Sequence, residues 1–285
     1  MNPKLIYDVG MHNGDDTAYY LWRGFRVVAI EPNPGLVASA TERFRRQIEM
    51  GRLTIVNVGV AAEEGARPLW VCLTDDRLSA LGSAEARTDA VREIMVPCRK
   101  FRSILDEHGV PYYVKIDIQG NDRLCVEALD HGDLPKFLSI EFALSDMPLV
   151  ALMHERGFKR FKCISQTHFL PLQLPPVAEA RWIQHVERLS RTRNIFVRVF
   201  RRLDGRRWIE RQFMRPRLRD GWIFPPSSSG PFGDRLPGRW LGYEEFCATA
   251  REFLRLREQD PRAFLWAARG IGSNLFWADL HARSD

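Results

Sequence analysis

Four carboxylates stand where short apolar runs stop. Asp8 closes "LIYD", Glu31 closes "RVVAIE", Asp117 closes "YYVKID" and Glu141 closes "KFLSIE". The first is followed by two glycines, Gly10 and Gly14, in the stretch "DVGMHNGDD". Glycine after a strand lets the backbone turn sharply and come close to a ligand. A carboxylate about twenty residues further on, at the end of the next strand, can accept both hydroxyls of a ribose. Asp8, Gly10, Gly14 and Glu31 together therefore suit a nucleotide-like ligand.

The glycine spacing narrows the choice. A dinucleotide site is marked by G-x-G-x-x-G around a pyrophosphate. Here the spacing is G-x-x-x-G, and His12 and Asp15 occupy the places of the second and third glycines. An acid at Asp8 sits badly beside a pyrophosphate and well beside a cation such as an α-amino group or a sulfonium. That points to S-adenosyl-L-methionine, whose methionine end is cationic and whose ribose calls for an acid. Methyl transfer to oxygen is an in-line displacement in which the protein aligns the acceptor and excludes water. An alcohol is a poor nucleophile, so a positioned base helps. Asp117 and Glu141 are the catalytic candidates, with His12 and His168 ranking behind them. Each has a structural alternative. Asp8 can cap the next turn, Asp117 can cap the helix starting near Gly120, and Glu141 can serve a buried hydrogen bond. Asp279 and His281 share one side of a strand, and no metal is expected there. Five scattered cysteines without a CxxC pair suit no zinc site and read as reduced thiols.

These residues need elements to hold them. Leu5–Val9, Arg26–Pro32, Leu53–Val60, Tyr112–Ile118, Lys136–Phe142 and "FKRFKCI" read as strands. Asp15–Gly24, Pro34–Gly51, "FRSILDEHG", a stretch from Asp122 and Met147–Arg156 read as helices between them. The alternation predicts an α/β domain around a mostly parallel sheet covered on both faces. In such sheets ligands bind beyond the carboxyl ends of the strands, where Asp8, Glu31, Asp117 and Glu141 all fall. Two regions follow: a core over residues 1–165, and a basic extension over residues 166–285 that is substrate-facing or a lid and ends on a possible strand at Asn274–Ala282.

Composition bounds the setting. The chain of 285 residues is 45% hydrophobic and 27% charged, the profile of a globular protein. No apolar run reaches the roughly 20 residues of a membrane span, and the start of the sequence does not read as a secretory signal, so a cytoplasmic setting is expected. The net charge of +6 is concentrated. Arg181–Asp220 holds thirteen arginines against four acids. That run suits a solvated basic face or an anionic partner. A nucleic-acid substrate is disfavoured, because no N-P-P-Y-like motif for a flipped base is present.

In order, "DVGMHNGDDT", "AIEPNP", "VKIDIQGND" and "LSIEF" resemble the FkbM-type methyltransferases, which methylate hydroxyl groups with S-adenosyl-L-methionine. The resemblance covers roughly residues 5–165. It implies a Rossmann-like class I methyltransferase fold with a seven-stranded sheet and helices on both faces. It also implies Asp8, Gly10 and Asn13 at the methionine end, and Glu31 on the ribose with Asn33 beside it. The acceptor it implies is the hydroxyl of a small molecule, sugar or glycoconjugate. The family usually reads "KIDVEGAE", so Gln119 replaces an acid and Asp122 a longer one. That departure raises a second reading, a non-catalytic nucleotide- or anion-binding protein on the same fold.

Overall fold

Every residue from Leu5 to Val9 in β1 (Asn2–Val9) is buried, as a strand covered on both faces requires. β1 pairs in parallel with β2 (Arg26–Ile30) on one side and β8 (Pro111–Ile116) on the other. β3 (Leu53–Val56) continues the array beyond β2, and β9 (Phe137–Phe142) beyond β8. The order is β9-β8-β1-β2-β3. The structure is a computed structural model and describes residues 1–72, 80–81, 91–118, 120–143, 146–166, 169–174, 221–225, 228–259 and 278–285. The chain divides into two compact units. The first comprises Met1–Ile140, Pro148–Lys159 and Ala282–Asp285; the second comprises Glu141–Met147 and Arg160–His281.

Residues paired across parallel strands project to the same side of a sheet. Asp8 pairs with Ala29 and Lys115, and Lys115 with Ser139, so one face carries a polar row. Helix α1 (Asp15–Trp22) covers that face, with the Thr17 hydroxyl 2.6 Å from Asp8 and the Tyr20 ring 5.7 Å from Tyr113. Helix α4 (Phe101–His108) covers the opposite face. There the Tyr7 ring stands edge-on to Phe101 and its hydroxyl donates to the Gly109 carbonyl at 2.8 Å. Helices thus lie on both faces of a parallel sheet, the Rossmann-like arrangement of class I methyltransferases.

Two expected elements divide. Pro34–Gly51 forms two helices, α2 (Pro34–Arg43) and α3 (Arg45–Glu49), interrupted at Phe44. The buried Phe44 side chain is laid against Gly14, and the backbone leaves the helical region to place it. Leu53–Val60 likewise splits: β3 stays in the parallel array, while β4 (Gly59–Val60) joins a separate sheet. That sheet has the order β4-β7-β5-β6, with β5 (Gly65–Cys72), β6 (Ala80–Leu81) and β7 (Val91–Arg99). It encloses a small core of Ala61, Leu69, Val96 and Cys98.

In the second unit β10 (Arg160–Ser165) lies between β11 (Leu241–Gly242) and β12 (Ala278–Arg283). β11, of two residues, is too short to leave a pattern in the sequence. The helix Tyr243–Gln259 packs Phe246 against Phe161 and Phe142. Ser228 to Gly233 are buried, and a Cβ on Gly230 would stand 2.2 Å from the Phe169 ring. Among the described residues no helix is long and apolar enough to cross a membrane.

The second unit also buries charge. Lys162 donates to the Leu236 carbonyl at 3.1 Å and sits 4.6 Å from the centre of the Trp240 ring. His281 is 1% exposed, and its Nε2 has no hydrogen-bond partner. Burial, aided by Lys162, pulls its pKa down to about 3. The unfolded chain binds a proton at this histidine below about pH 6.5, whereas the folded chain does not. Stability should therefore fall by up to about 1.4 kcal/mol per pH unit as the pH drops below 6.5. In urea unfolding at pH 7.5, 6.0 and 5.0, His281→Gln should show a shallower loss than the native chain. Equal slopes would refute this account of His281.

Candidate active site

The strand ends and the turns after them form one edge. Past β1 the chain bends at once: the Gly10 and Met11 N–H groups both donate to the Ile30 carbonyl, at 2.9 and 3.1 Å. Gly10, His12 and Gly14 take φ of 80, 52 and 79°. At Gly10 only glycine fits, since a Cβ would lie 1.9 Å from the Asp117 carbonyl oxygen. At Gly14 a Cβ would lie 2.6 Å from the Phe44 ring. His12 holds a conformation unfavourable for a side-chain-bearing residue, at a cost of about 1 kcal/mol. Its N–H donates to Glu31 Oε2 at 2.9 Å, which fixes the turn.

Glu31 follows β2 and is only 6% exposed. Its Oε1 accepts the Asn33 N–H and its Oε2 the His12 N–H, both at 2.9 Å. Burial pushes its pKa up, and the Asn33 and His12 N–H groups pull it back. Each carboxylate oxygen keeps a second lone pair, so the group is aimed by the backbone and still able to accept. The Asn33 side-chain oxygen caps α2 through the Gly35 N–H at 2.9 Å. Asn13 is likewise held: its Oδ1 accepts the Asp15 N–H at 3.1 Å, its Nδ2 donates to Asp15 at 2.9 Å, and Arg43 donates to its carbonyl at 2.7 Å.

Asp8, expected at the methionine end, has no exposed surface. Its Oδ2 accepts the Thr17 hydroxyl, and its Oδ1 faces the Lys115 ammonium at 3.5 Å. It thus lies behind the glycine turn and acts on it through Lys115, whose Nζ donates to the Gly10 carbonyl at 2.8 Å. Burial pushes the Asp8 pKa up, while Lys115 and Thr17 pull it down. For Lys115 burial pulls down, but Asp8 and then Asp117 more than offset it, so the ammonium is held above its ordinary value. The sequence reading passed over Lys115. Its signal was a lysine inside the otherwise apolar "YYVKI", which a covered strand tolerates only with a partner.

Asp117 lies just past β8, with its N–H donating to the Val9 carbonyl at 2.9 Å and its carboxylate 3.6 Å from Lys115. Its side chain is 36% exposed. Asp122, at the start of α5 (Asp122–Glu127), shapes the loop between them. Its two oxygens accept the Ile118 and Gly120 N–H groups at 3.0 and 3.1 Å, and burial pushes its pKa up. The carboxylate here is therefore occupied with backbone. Gln119, His168 and Arg181–Asp220 lie outside the described residues. Glu141 belongs to the second unit and is half-buried. The first unit thus brings Gly10, Asn13, Gly14, Glu31, Asn33 and Asp117 to one edge, with Asp8 and Lys115 beneath it.

The glycine turn yields a test. Gly10→Ala combines a left-handed backbone with overlap on the Asp117 carbonyl, and should cost about 3 kcal/mol or more of stability. Gly24→Ala has a similar φ of 87° but nothing within 4 Å of the added carbon, and should cost about 1 kcal/mol. Denaturant midpoints check this; equal losses would show that the contact with Asp117 is unimportant.

No curated protein matches the chain. Among solved structures, an FkbM methyltransferase from Methylobacillus flagellatus KT is 18% identical over 56% of this chain and 39% of its own, with a TM-score of 0.39. The match thus spans well under half of that protein's length. The 1,6-didemethyltoxoflavin-N1-methyltransferase of Burkholderia thailandensis, solved with 1,6-didemethyltoxoflavin and S-adenosylhomocysteine, is 15% identical over 56% of this chain and 62% of its own, with a TM-score of 0.31. A precorrin-6y C5,15-methyltransferase from Geobacter metallireducens GS-15 is 13% identical over 59% and 71%, with a TM-score of 0.32. The model of the methyltransferase FkbM domain matches residues 8–159, more than half the chain and all of the edge built from Asp8 to Asp117, so the chain belongs to the FkbM methyltransferase family.

Proposed function

We propose that this protein is an S-adenosyl-L-methionine-dependent O-methyltransferase acting on a hydroxyl of a sugar, glycoconjugate or other small molecule. The observation that carries the cofactor is Glu31: a buried carboxylate at a strand end, aimed by two backbone N–H groups and retaining acceptor capacity. The hydroxyl acceptor rests on the family. The donor set fits the cofactor. Glu31, with Asn33 beside it, would take the ribose, and Gly10, Asn13 and Gly14 would line the methionine end, with Asp8 stabilising the turn from behind through Lys115.

The bound cofactor supplies an activated methyl carbon on a sulfonium. The chain's part is to hold the turn rigid, exclude water and receive a proton. The acceptor oxygen gains the methyl group and loses its hydrogen, and the carbon–sulfur electron pair stays on sulfur. The proton released must go to a base. Asp117 is the first candidate, because it is partly exposed and stands at the edge next to the glycine turn; Glu141 is the second.

Glu31 decides the reading. By calorimetry the native chain should bind both S-adenosylmethionine and S-adenosylhomocysteine. Glu31→Gln should weaken both about tenfold or more, since a hydrogen bond to a charged group contributes about 1.5–3 kcal/mol. Melting temperatures of the two proteins control for loss of fold. Unchanged affinity in the variant, or no binding by the native chain, would overturn the proposed site.

A further inference from the structure

Lys115 stands between two carboxylates at nearly equal distance, 3.5 Å from Asp8 and 3.6 Å from Asp117. One ammonium can neutralise one of them. Distance does not choose, but burial does. The Asp8 side chain is 0% exposed and the Asp117 side chain 36%. A fully enclosed carboxylate is ionised only with a partner, whereas water can solvate Asp117. Lys115 is therefore committed to Asp8, and the two form a neutral unit under the turn. Asp16, also buried, adds a third carboxyl to the field of Lys115 after Asp8 and Asp117, so the one ammonium faces more negative charge than it can neutralise.

Asp117 is then only partly compensated by Lys115 and is fixed against the turn. Its carbonyl presses on Gly10, its N–H is bonded to Val9, and its carboxylate reaches solvent. We infer that Asp117 makes this site discriminate by charge, favouring the sulfonium cofactor over the neutral thioether left after transfer. The inference rests on the cofactor proposed above and adds to it. Glu31 sets affinity for the nucleoside part that both ligands share, while Asp117 sets the difference between them. Methyl transfer removes the sulfonium charge, so the attraction ends with the reaction and the product leaves more readily.

Binding measurements test this without an acceptor. The native chain should bind S-adenosylmethionine more tightly than S-adenosylhomocysteine, and the ratio should shrink with added salt, since Asp117 is partly exposed. Asp117→Asn should reduce the ratio about tenfold, the scale of one charge–charge interaction near a protein surface, and leave S-adenosylhomocysteine affinity within about twofold. An unchanged ratio in Asp117→Asn overturns the inference. Asp117→Asn is isosteric and at a partly exposed position, so the fold should survive the substitution, which melting temperatures check. Failure of the native chain to bind either ligand overturns the cofactor proposal instead. Binding of both without preference overturns only the role of Asp117.

Discussion

The ion pair between Asp8 and Lys115 is the constraint on which the rest of the site depends. Neither side chain has appreciable contact with water, so each is acceptable only because the other is there. Breaking such a pair by removing one member typically costs about 3–5 kcal/mol. The pair exists because β1 and β8 lie in one register, with Asp8 opposite Lys115. A slip of one residue would turn one of the two to the opposite face, where Tyr7 and Phe101 pack. The charge pair thus specifies the register, and the register brings Val9 and Ile116 to a common end. Thr17 extends the constraint to α1 through its hydrogen bond to Asp8.

What this frame holds is a turn in an unfavourable conformation. Three of five residues from Gly10 to Gly14 have positive φ. The turn survives because it is tied from every side: Lys115 takes the Gly10 carbonyl, Glu31 the His12 N–H, Ile30 the Gly10 and Met11 N–H groups, and Arg43 the Asn13 carbonyl. Glu31 thereby serves both the turn and the edge. Its position is fixed in turn by Asn57, which donates to the Glu31 and Pro32 carbonyls at 2.8 and 3.1 Å. A ligand meeting this edge would encounter groups already in place, which lowers the ordering cost of binding.

The strands and helices of the first unit were largely legible, because parallel strands covered on both faces read as continuous apolar runs. The carboxylates were visible as interruptions at the ends of those runs. Local pattern could not say which way they face. Asp8 and Asp117 look alike in sequence, one before a glycine turn and one at a strand tip, yet only the pairing of β1 with β8 decides that the first is enclosed. Lys115 was missed for the same reason: its partner is more than a hundred residues away. The division of Leu53–Val60 between two sheets was hidden too, since "LTIVNVGV" reads as one largely apolar run and only tertiary pairing separates Leu53–Val56 from Gly59–Val60. Phe44 hid the break in its helix by fitting the helical period; what moves it is the gap left by Gly14.

The charge at the edge also explains why a Rossmann-like frame need not imply a dinucleotide. In dinucleotide folds the pyrophosphate rests on the N-terminus of the first helix, where free N–H groups and the helix dipole attract anions. Here that position is already filled by the protein's own acids. Asp15 and Asp16 occupy the first turn of α1, where they offset the positive end of the dipole. Arg43, the cation close by, is engaged by Asp15 and the Asn13 carbonyl. Glu31 and Asp117 add negative charge at the neighbouring strand ends. A pyrophosphate would meet repulsion from these acids, whereas a cationic centre would meet complementary charge and a neutral ribose a hydrogen-bond acceptor. The same strand order and glycine-bearing turn can thus carry opposite electrostatics, set by a few acids near the buried Lys115.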